Sequence, residues 1–485
     1  MSAREIFAGT SLILILFCAS SLAKYSGGTG EPNDPYLIAT PNDLNSIGLD
    51  PCDWDNHFKM TADINMAGYS YTTAIISPDI DSSLSEFQGT AFTGVFDGNG
   101  YVIKNLKIDT LGVGNDYLGI FGQINAGGSV QNLYLEDINF VGSYGSSYVG
   151  GICGYNNGYI KDCNSDTVLS GSGRIGGVCG KNTGFITNCT SASSITGSDF
   201  SGYLGCLCGD NLGLIYDSQA SGQITCGDNS GHLGGLCGRN MDCVKESSAI
   251  VSIEAKTDSD YLGGLCGDNQ NLIIRCHAEF SINYGERIGG LVGINWGAGV
   301  IKNCYAQGTI LGTSDIGGIC GENYLCSISS CYSKGSIAGW YDVGGICGNN
   351  AGDVNNCYSD IYAEGMLPGG VCGGNYGSVS DCYSIGYSEE GGGLCGMSSG
   401  VINNSYFLDP NDGGGPNNGL GLPLTEEQMK LKDSFVEWDF VNLWDIGENQ
   451  TYPFLRTHLP SDINKDDETN LYDLAIVAGN WLAEE

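Results

Sequence analysis

Basic residues are scarce: 19 Lys and Arg stand against 55 Asp and Glu, giving a formal net charge of −36. So acidic a chain repels other polyanions, which excludes nucleic acid and anionic membrane surfaces as partners. Histidine is scarcer still. His57, His232, His277 and His458 lie in unrelated contexts, without the His-x-His or His-Glu-x-x-His spacing that zinc requires. Proline numbers only 11, and past the first two dozen residues no apolar run is long enough to span a bilayer. Helical periodicity is also rare, because the apolar runs are short, rich in Ile, Val, Leu and Tyr, and divided by Gly, Asn, Ser or Asp. Such runs read as strands.

Glycine, by contrast, is abundant at 78 residues, and it falls at fixed intervals. The unit Gly150-Gly151-Ile152-Cys153-Gly154-Tyr155-Asn156, followed by Ile160-Lys161-Asp162-Cys163, returns from Gly176, Gly234, Gly263, Gly289, Gly317, Gly344, Gly369 and Gly392, with a variant at Gly205. A period of roughly 27 residues sustained over most of a chain marks a solenoid. Three short runs per repeat can pair in parallel only by winding into a β-helix, expected here as right-handed, with eleven rungs extending ~50 Å at the spacing of strands. The Asn at Asn156, Asn182, Asn211, Asn240, Asn269, Asn295, Asn323, Asn350 and Asn375 suits a left-handed turn and a stack of amides. The residue before each Asn varies freely, as expected of a surface position.

Most of the 22 cysteines occupy two slots of the repeat. The first runs from Cys153 to Cys395 and accepts Val292 once. The second runs from Cys163 to Cys382 and accepts Ser218, Ser247 and Ser405. Slots that tolerate Val or Ser favour stacked free thiols over disulfides, although neighbouring rungs leave pairing open. Cys206 and Cys243, outside the slots, are the candidates for local pairing.

The first residues read as an export signal: Arg4 precedes Leu12-Ile13-Leu14-Ile15-Leu16-Phe17, and Ser21-Leu22-Ala23 supplies small residues for cleavage after Ala23. A short strand near Tyr36 to Ile38 and a helical pattern at Asp43, Leu44 and Ile47 form an N-terminal cap. Past the repeats, Asp409 to Asn418 is a loop. Thr425 with Gln428 makes a capping box for a short helix. Trp438-Asp439-Phe440, Trp444-Asp445-Ile446 and Tyr452-Pro453-Phe454-Leu455 are expected as aromatic strands closing the far end. The division is then a signal peptide over 1–23, a cap with the first turns over 24–117, the repeat β-helix over 118–408, a C-terminal cap over 409–458 and a terminal module over 459–485.

The repeated Gly-Gly-Leu/Ile-x-Gly-x-Asn, with Ile301-Lys302-Asn303-Cys304-Tyr305 after it, resembles the GLUG repeat over about Leu118 to Phe407. That resemblance implies a large exported bacterial protein, adhesin-like or the non-catalytic part of a surface protease, and carries no catalytic signature.

The terminal module holds the strongest local motif. Asp462, Asn464, Asp466, Asn470 and Asp473 stand at positions 1, 3, 5, 9 and 12 of a calcium loop, with the Glu468 carbonyl at position 7. Leu471, Leu474, Val477, Ala478 and Trp481 follow at helical spacing. The segment resembles one half of a type I dockerin, with a single copy visible and Asp467 where Gly is usual at position 6. It implies bound Ca²⁺ and a cohesin-like partner. Catalytic constellations are thin: Asp210 and Asp268 share a slot with Arg239 between them, either as a shallow binding patch or, as favoured here, as a surface salt-bridge ladder. The expectation is an exported, non-catalytic β-helix for adhesion or contact with cell-surface glycan, docked through calcium. The enzyme alternative is a polysaccharide lyase or glycoside hydrolase using Asp210 or Asp268.

Overall fold

The computed structural model describes residues 24–84 and 86–456, which wind into a parallel β-solenoid of about ten turns. The signal segment and the calcium loop of 459–485 lie outside the described residues. Each regular turn carries four strands, one more than the three expected. The turn from 148 holds Tyr148–Gly150, Cys153–Asn156, Tyr159–Lys161 and Asn164–Gly171. The next holds Arg174–Gly176, Cys179–Asn182, Phe185–Thr187 and Thr190–Gly197. All four pair in parallel and in register, as in Ile175 with Val149, Cys179 with Cys153, Ile186 with Ile160 and Ile195 with Leu169. The Gly-ended strands form an eight-stranded sheet, the Cys strands an 11-stranded sheet and the Tyr159–Lys161 type a 14-stranded sheet.

The extra corner sits at the double glycine. A Cβ on Gly150 would lie 2.2 Å from the Cys153 carbonyl oxygen, and one on Gly151 would lie 2.4 Å from that of Gly177. These glycines are therefore required by close approach of backbone. Left-handed conformation falls elsewhere. Asp162, Asn188, Asp217, Arg275 and Asn303, each just before the second slot, have φ between 48° and 55°. The ladder asparagines are absent from the left-handed set, so the left-handed part of their expected role is corrected and the stacking part stands.

That stack is continuous. Asn156 Nδ2 donates to Asn182 Oδ1 at 2.8 Å, and the same bond repeats down to Asn350 and Asn375 at 2.9 Å. Each of these side chains is fully buried, and each turns its amide onto a nearby main-chain group, as when Gly158 N–H donates to Asn156 Oδ1 at 3.0 Å. Buried amides satisfied on every side fix the register, since a slipped rung would strand them.

The thiols line the core as free groups, and every described cysteine is unpaired, including Cys206 and Cys243. Geometry explains this. Parallel strands in register hold equivalent Cβ atoms ~4.8 Å apart, beyond the ~3.8 Å typical of a disulfide. Cys153 and Cys179 accordingly touch through sulfur at 3.6 Å. The second slot also has a polar task. Cys304 Sγ accepts the Cys276 N–H at 3.4 Å and faces the Lys302 carbonyl at 3.1 Å, while Ser218 Oγ accepts the Cys189 N–H at 3.2 Å. Cys and Ser interchange there because both accept a main-chain bond.

Both caps differ in weight from expectation. The N-terminal helix Pro41–Leu49 is capped by Thr40 and Asp43 and buries Leu44 and Ile47. Phe58, Phe92, Phe96 and Phe121 then fill the first turns. At the other end the expected loop does the closing: Pro416 O accepts the Gly393 N–H at 2.7 Å, and Asn418 Nδ2 donates to the Cys395 carbonyl at 2.8 Å. The aromatic segment does not close the core. Trp438, Trp444, Phe435 and Phe440 build a second cluster against Tyr383 and Tyr406 on the outer wall. Of the expected aromatic strands, only Trp444–Asp445 and Phe454–Leu455 pair, antiparallel. The reason is a row of rings already there: His277, Tyr305, Tyr332, Tyr358 and Tyr383 stack at 4.7 to 5.1 Å, within 7° of parallel.

Two variants at one position test the polar task of the second slot. Cys304→Ser keeps the acceptor and is expected to leave the melting temperature within a degree or two. Cys304→Val orphans the Cys276 N–H and is expected to cost about 1–3 kcal/mol in urea unfolding.

Candidate functional site, a groove of stacked rings and buried carboxylates

The corner between the Gly-ended and Cys strands is re-entrant. A Cβ on Gly154 would lie 2.5 Å from the Tyr117 Cα, and one on Gly180 would lie 2.7 Å from the Val149 nitrogen. Glycine after each Cys lets the neighbouring strand fold inward, and the two outward columns at this corner face each other.

One column is an unbroken stack with one side chain per turn. Tyr117 and Tyr148 stack at 4.6 Å. The Arg174 guanidinium sits between Tyr148 and Tyr203 at 5.2 and 5.1 Å. His232 sits between Tyr203 and Tyr261 at 4.8 and 4.9 Å, and Arg287 covers Tyr261 at 5.2 Å. Cations on ring faces and offset rings are both favourable arrangements. Tyr117, His232, Tyr261 and Arg287 hold φ between 46° and 58°, a conformation that costs bulky residues roughly 1–2 kcal/mol each. The column continues as Asp315 and Asp342, also left-handed, with φ of 52° and 48°.

The second column is the residue before each ladder Asn, and it pairs diagonally with the turn before. Asp210 is fully buried and takes Arg174 Nε at 2.9 Å, then Arg239 Nε and Nη2, each at 2.9 Å. Asp268 is 2% exposed; it accepts from Trp296 Nε1 at 2.7 Å and from Gln270 Nε2 at 3.0 Å. Arg287 meets Glu322 at 2.9 Å and also pairs with Asp260. The expectation of a free surface position therefore fails at Asp210 and Asp268, and so does that of a surface ladder. Arg239 joins Asp210 in an ion pair, while Asp268 is held by Trp296 and Gln270, with His232 Nδ1 at 3.4 Å from its Oδ2. Neither carboxylate has a free oxygen edge for general acid or base work.

At the lower end the diagonal partners lose their charge. Asp315 is opposite Asn349, and Asp342 is opposite Gly374, where a Cβ would lie 2.9 Å from Asp342 Oδ1. Burial, then the nearby charges of Asp342 and Glu322, push the Asp315 carboxyl up to about 6. Burial raises Asp342 as well. Sequence reasoning found the second column but read it as plain surface, and it missed the first. Read at the period of the repeat, Tyr117, Tyr148, Arg174, Tyr203, His232, Tyr261 and Arg287 stand two residues before each turn's first strand-ending Gly, and that regularity was the available signal.

The expected calcium ligands Asp462, Asn464, Asp466, Glu468, Asn470 and Asp473 lie outside the described residues, as does His458. Known proteins bear on the repeat. Residues 284–311 match the family described as the GLUG motif. Those residues hold the strands Glu286–Gly289, Val292–Asn295, Val300–Lys302 and Tyr305–Leu311. One GLUG unit is one turn of this solenoid. The chain is 33% identical over 146 residues to halomucin of Haloquadratum walsbyi, a match covering 30% of this chain and 2% of halomucin. It is 28% identical over 138 residues to a protein of Evansella cellulosilytica provisionally named a Gly-rich membrane protein, covering 28% of this chain and 15% of that one. The chain thus spans a small part of both relatives. A solved candidate immunoglobulin A1 protease from Bacteroides ovatus aligns over 89% of this chain and 95% of its own at 17% identity, with a TM-score of 0.25. At that score the fold rests on the strand pairings themselves. Among the described residues no helix is long and apolar enough to cross a membrane.

The raised Asp315 carboxyl predicts an inverted pH dependence. An aspartate at about 6 when folded, against an ordinary value of 3.8, holds a proton in the native state that the unfolded chain releases between those values. Its penalty is present above pH 6 and relieved as pH falls toward 4. Asp315→Asn is expected to remove that penalty, on the order of 1–3 kcal/mol, which thermal unfolding at pH 7.5 against pH 5 will read as a gain for the variant that is about twice as large at the higher pH.

Proposed function

We propose that this protein is an exported, non-catalytic β-solenoid that serves as an extracellular scaffold contacting glycan along the lower half of the groove. The observation that carries this reading is a set of exposed rings along the lower half of the groove, where Asp315 and Asp342 have no cation across the corner. Trp296, Tyr324 and Tyr376 directly follow the ladder Asn of their turns and are 41%, 51% and 50% exposed. Trp296 is fixed by its bond to Asp268, and the Tyr376 ring lies at Gly374 beside Asp342. Fixed rings offer flat apolar faces to sugar rings, and carboxylates accept from sugar hydroxyls. The upper groove does not serve in this way, because its rings spend their faces on one another. The export signal and the partly matching halomucin and membrane-protein relatives support a surface or secreted location. The calcium loop, by its dockerin resemblance, would join the scaffold to a cohesin-like partner in a Ca²⁺-dependent manner.

One observation favours a second reading, glycoside hydrolysis. Asp315 has a carboxyl in the range of a general acid and stands beside Asp342. Asp210 and Asp268 have no part in it. A panel of plant and algal polysaccharides assayed for both binding and reducing-sugar release separates the two. For the scaffold, a glycan binds without turnover, and Trp296→Ala with Tyr376→Ala weakens it about tenfold or more, ~1.4 kcal/mol. Turnover that disappears in Asp315→Asn would overturn the non-catalytic reading, and the absence of any bound glycan would overturn both.

A further inference from the structure

The loop described over residues 77–84 and 86–90 reaches the upper end of the groove, where the Phe87 ring meets Tyr117 edge-on at 5.2 Å. The loop carries one buried carboxylate, Asp79, and a second, Asp116, directly precedes Tyr117. Asp79 is 7% and Asp116 is 8% exposed. Asp79 Oδ1 accepts the Gln88 N–H at 2.7 Å, and Asp116 Oδ1 accepts the Ser147 N–H at 2.6 Å. Asp79 Oδ2 is buried with no hydrogen-bond partner among the described residues. So is Gln123 Oε1. Gln123 belongs to the strand Phe121–Ile124, which pairs with Ile76, and its carbonyl accepts from Ser77 Oγ at 3.2 Å. Asp79 is bonded to Gln88, next to the Phe87 ring that meets Tyr117, and Asp116 directly precedes Tyr117, so both carboxylates stand at one corner. Burial raises the Asp116 carboxyl and the Asp79 charge raises it further. Arg174, which opposes that shift, is committed to Asp210.

Buried oxygens without donors cost a few kcal/mol each, so native structures rarely keep them unless an ion or a solvent molecule supplies the missing partner. Here every orphan is an oxygen, and two of the groups carry negative charge. We infer that Asp79, Asp116 and Gln123 form a binding site for a hard divalent cation, Ca²⁺ in the first instance, that fastens the 77–90 loop to the first turn. Ca²⁺ accepts carboxylate and amide oxygens in irregular shells completed by water, whereas Mg²⁺ demands a near-ideal octahedron. A charge of two balances the two carboxylates. No described group of three or more His, Cys, Asp or Glu side chains is placed to hold a metal ion. The site therefore takes two carboxylates and completes its shell with the Gln123 oxygen and solvent. The competing arrangement is Gln123 turned over so that its amide nitrogen donates to Asp79, which requires no cation. The inference is independent of glycan contact.

The test uses the full exported chain carrying Asp462→Ala and Asp473→Ala, which silences the terminal loop. Tb³⁺ is the probe, excited through Tyr117. A saturable emission displaced by Ca²⁺, about tenfold or more weaker in Asp79→Asn, is expected. Ca²⁺ is also expected to slow proteolytic cleavage within 77–90 in the loop-silenced chain, a readout that holds even should Asp79→Asn misfold. No saturable emission, equal Tb³⁺ affinity in Asp79→Asn and Asp116→Asn, or a cleavage rate indifferent to Ca²⁺ would overturn the site.

Discussion

Every feature of this molecule follows from the hydrogen bonding of each turn to the next at the fixed separation of parallel strands, ~4.8 Å. That constraint brings like positions into contact with like. Cys153 meets Cys179, Asn156 meets Asn182 and Gly150 meets Gly176, each in register. A residue type is retained in a column only where it can pack against copies of itself. Asparagine does so because its amide donates on one side and accepts on the other. Cysteine does so as a small apolar thiol, and glycine because a Cβ would strike the next turn.

The same constraint gives the surface its character. Flat groups repeated at that separation are at stacking distance, so tyrosine, histidine and arginine form two independent stacks, one on the outer wall from His277 to Tyr383 and one in the groove from Tyr117 to Arg287. Carboxylates repeated in this way repel unless a cation lies across the corner. Along most of the groove one does: Arg174 and Arg239 hold Asp210, and Arg287 holds Glu322. Where the pattern stops, at Asp315 and Asp342, no cation lies across the corner, and exposed rings stand nearby at Trp296 and Tyr376. Chemistry thus collects where the repeat breaks its own rule.

Much of this was legible in the sequence because period reports column. The solenoid, the thiol columns, the amide stack, the short helix through Asp43, Leu44 and Ile47 and the capping box at Thr425 all depend on residues near in sequence or equal in phase. The corrections share one cause. A fourth strand, the placement of left-handed residues before the second slot and the burial of Asp210 depend on how the corner folds, and phase carries no angle. The aromatic C-terminal segment was misplaced for a similar reason. Its rings are apolar enough to cover a core end, yet a prepared row of tyrosines on the outer wall supplied a better partner.

The sequence by itself determined that the chain is a stack of near-identical parallel turns, since only that arrangement satisfies so regular a recurrence of Gly, Cys and Asn. It also determined which positions face inward, because a slot shared by Cys, Val and Ser has no other use. Only the tertiary structure decided which outward positions face one another. Tyr203 and Arg239 are 36 residues apart along the numbering yet lie in contact at 4.3 Å, because the re-entrant corner offsets one column from the other by a turn. Contacts within a column repeat at the period and can be read from it, whereas contacts across a corner depend on an angle fixed by packing glycine against backbone.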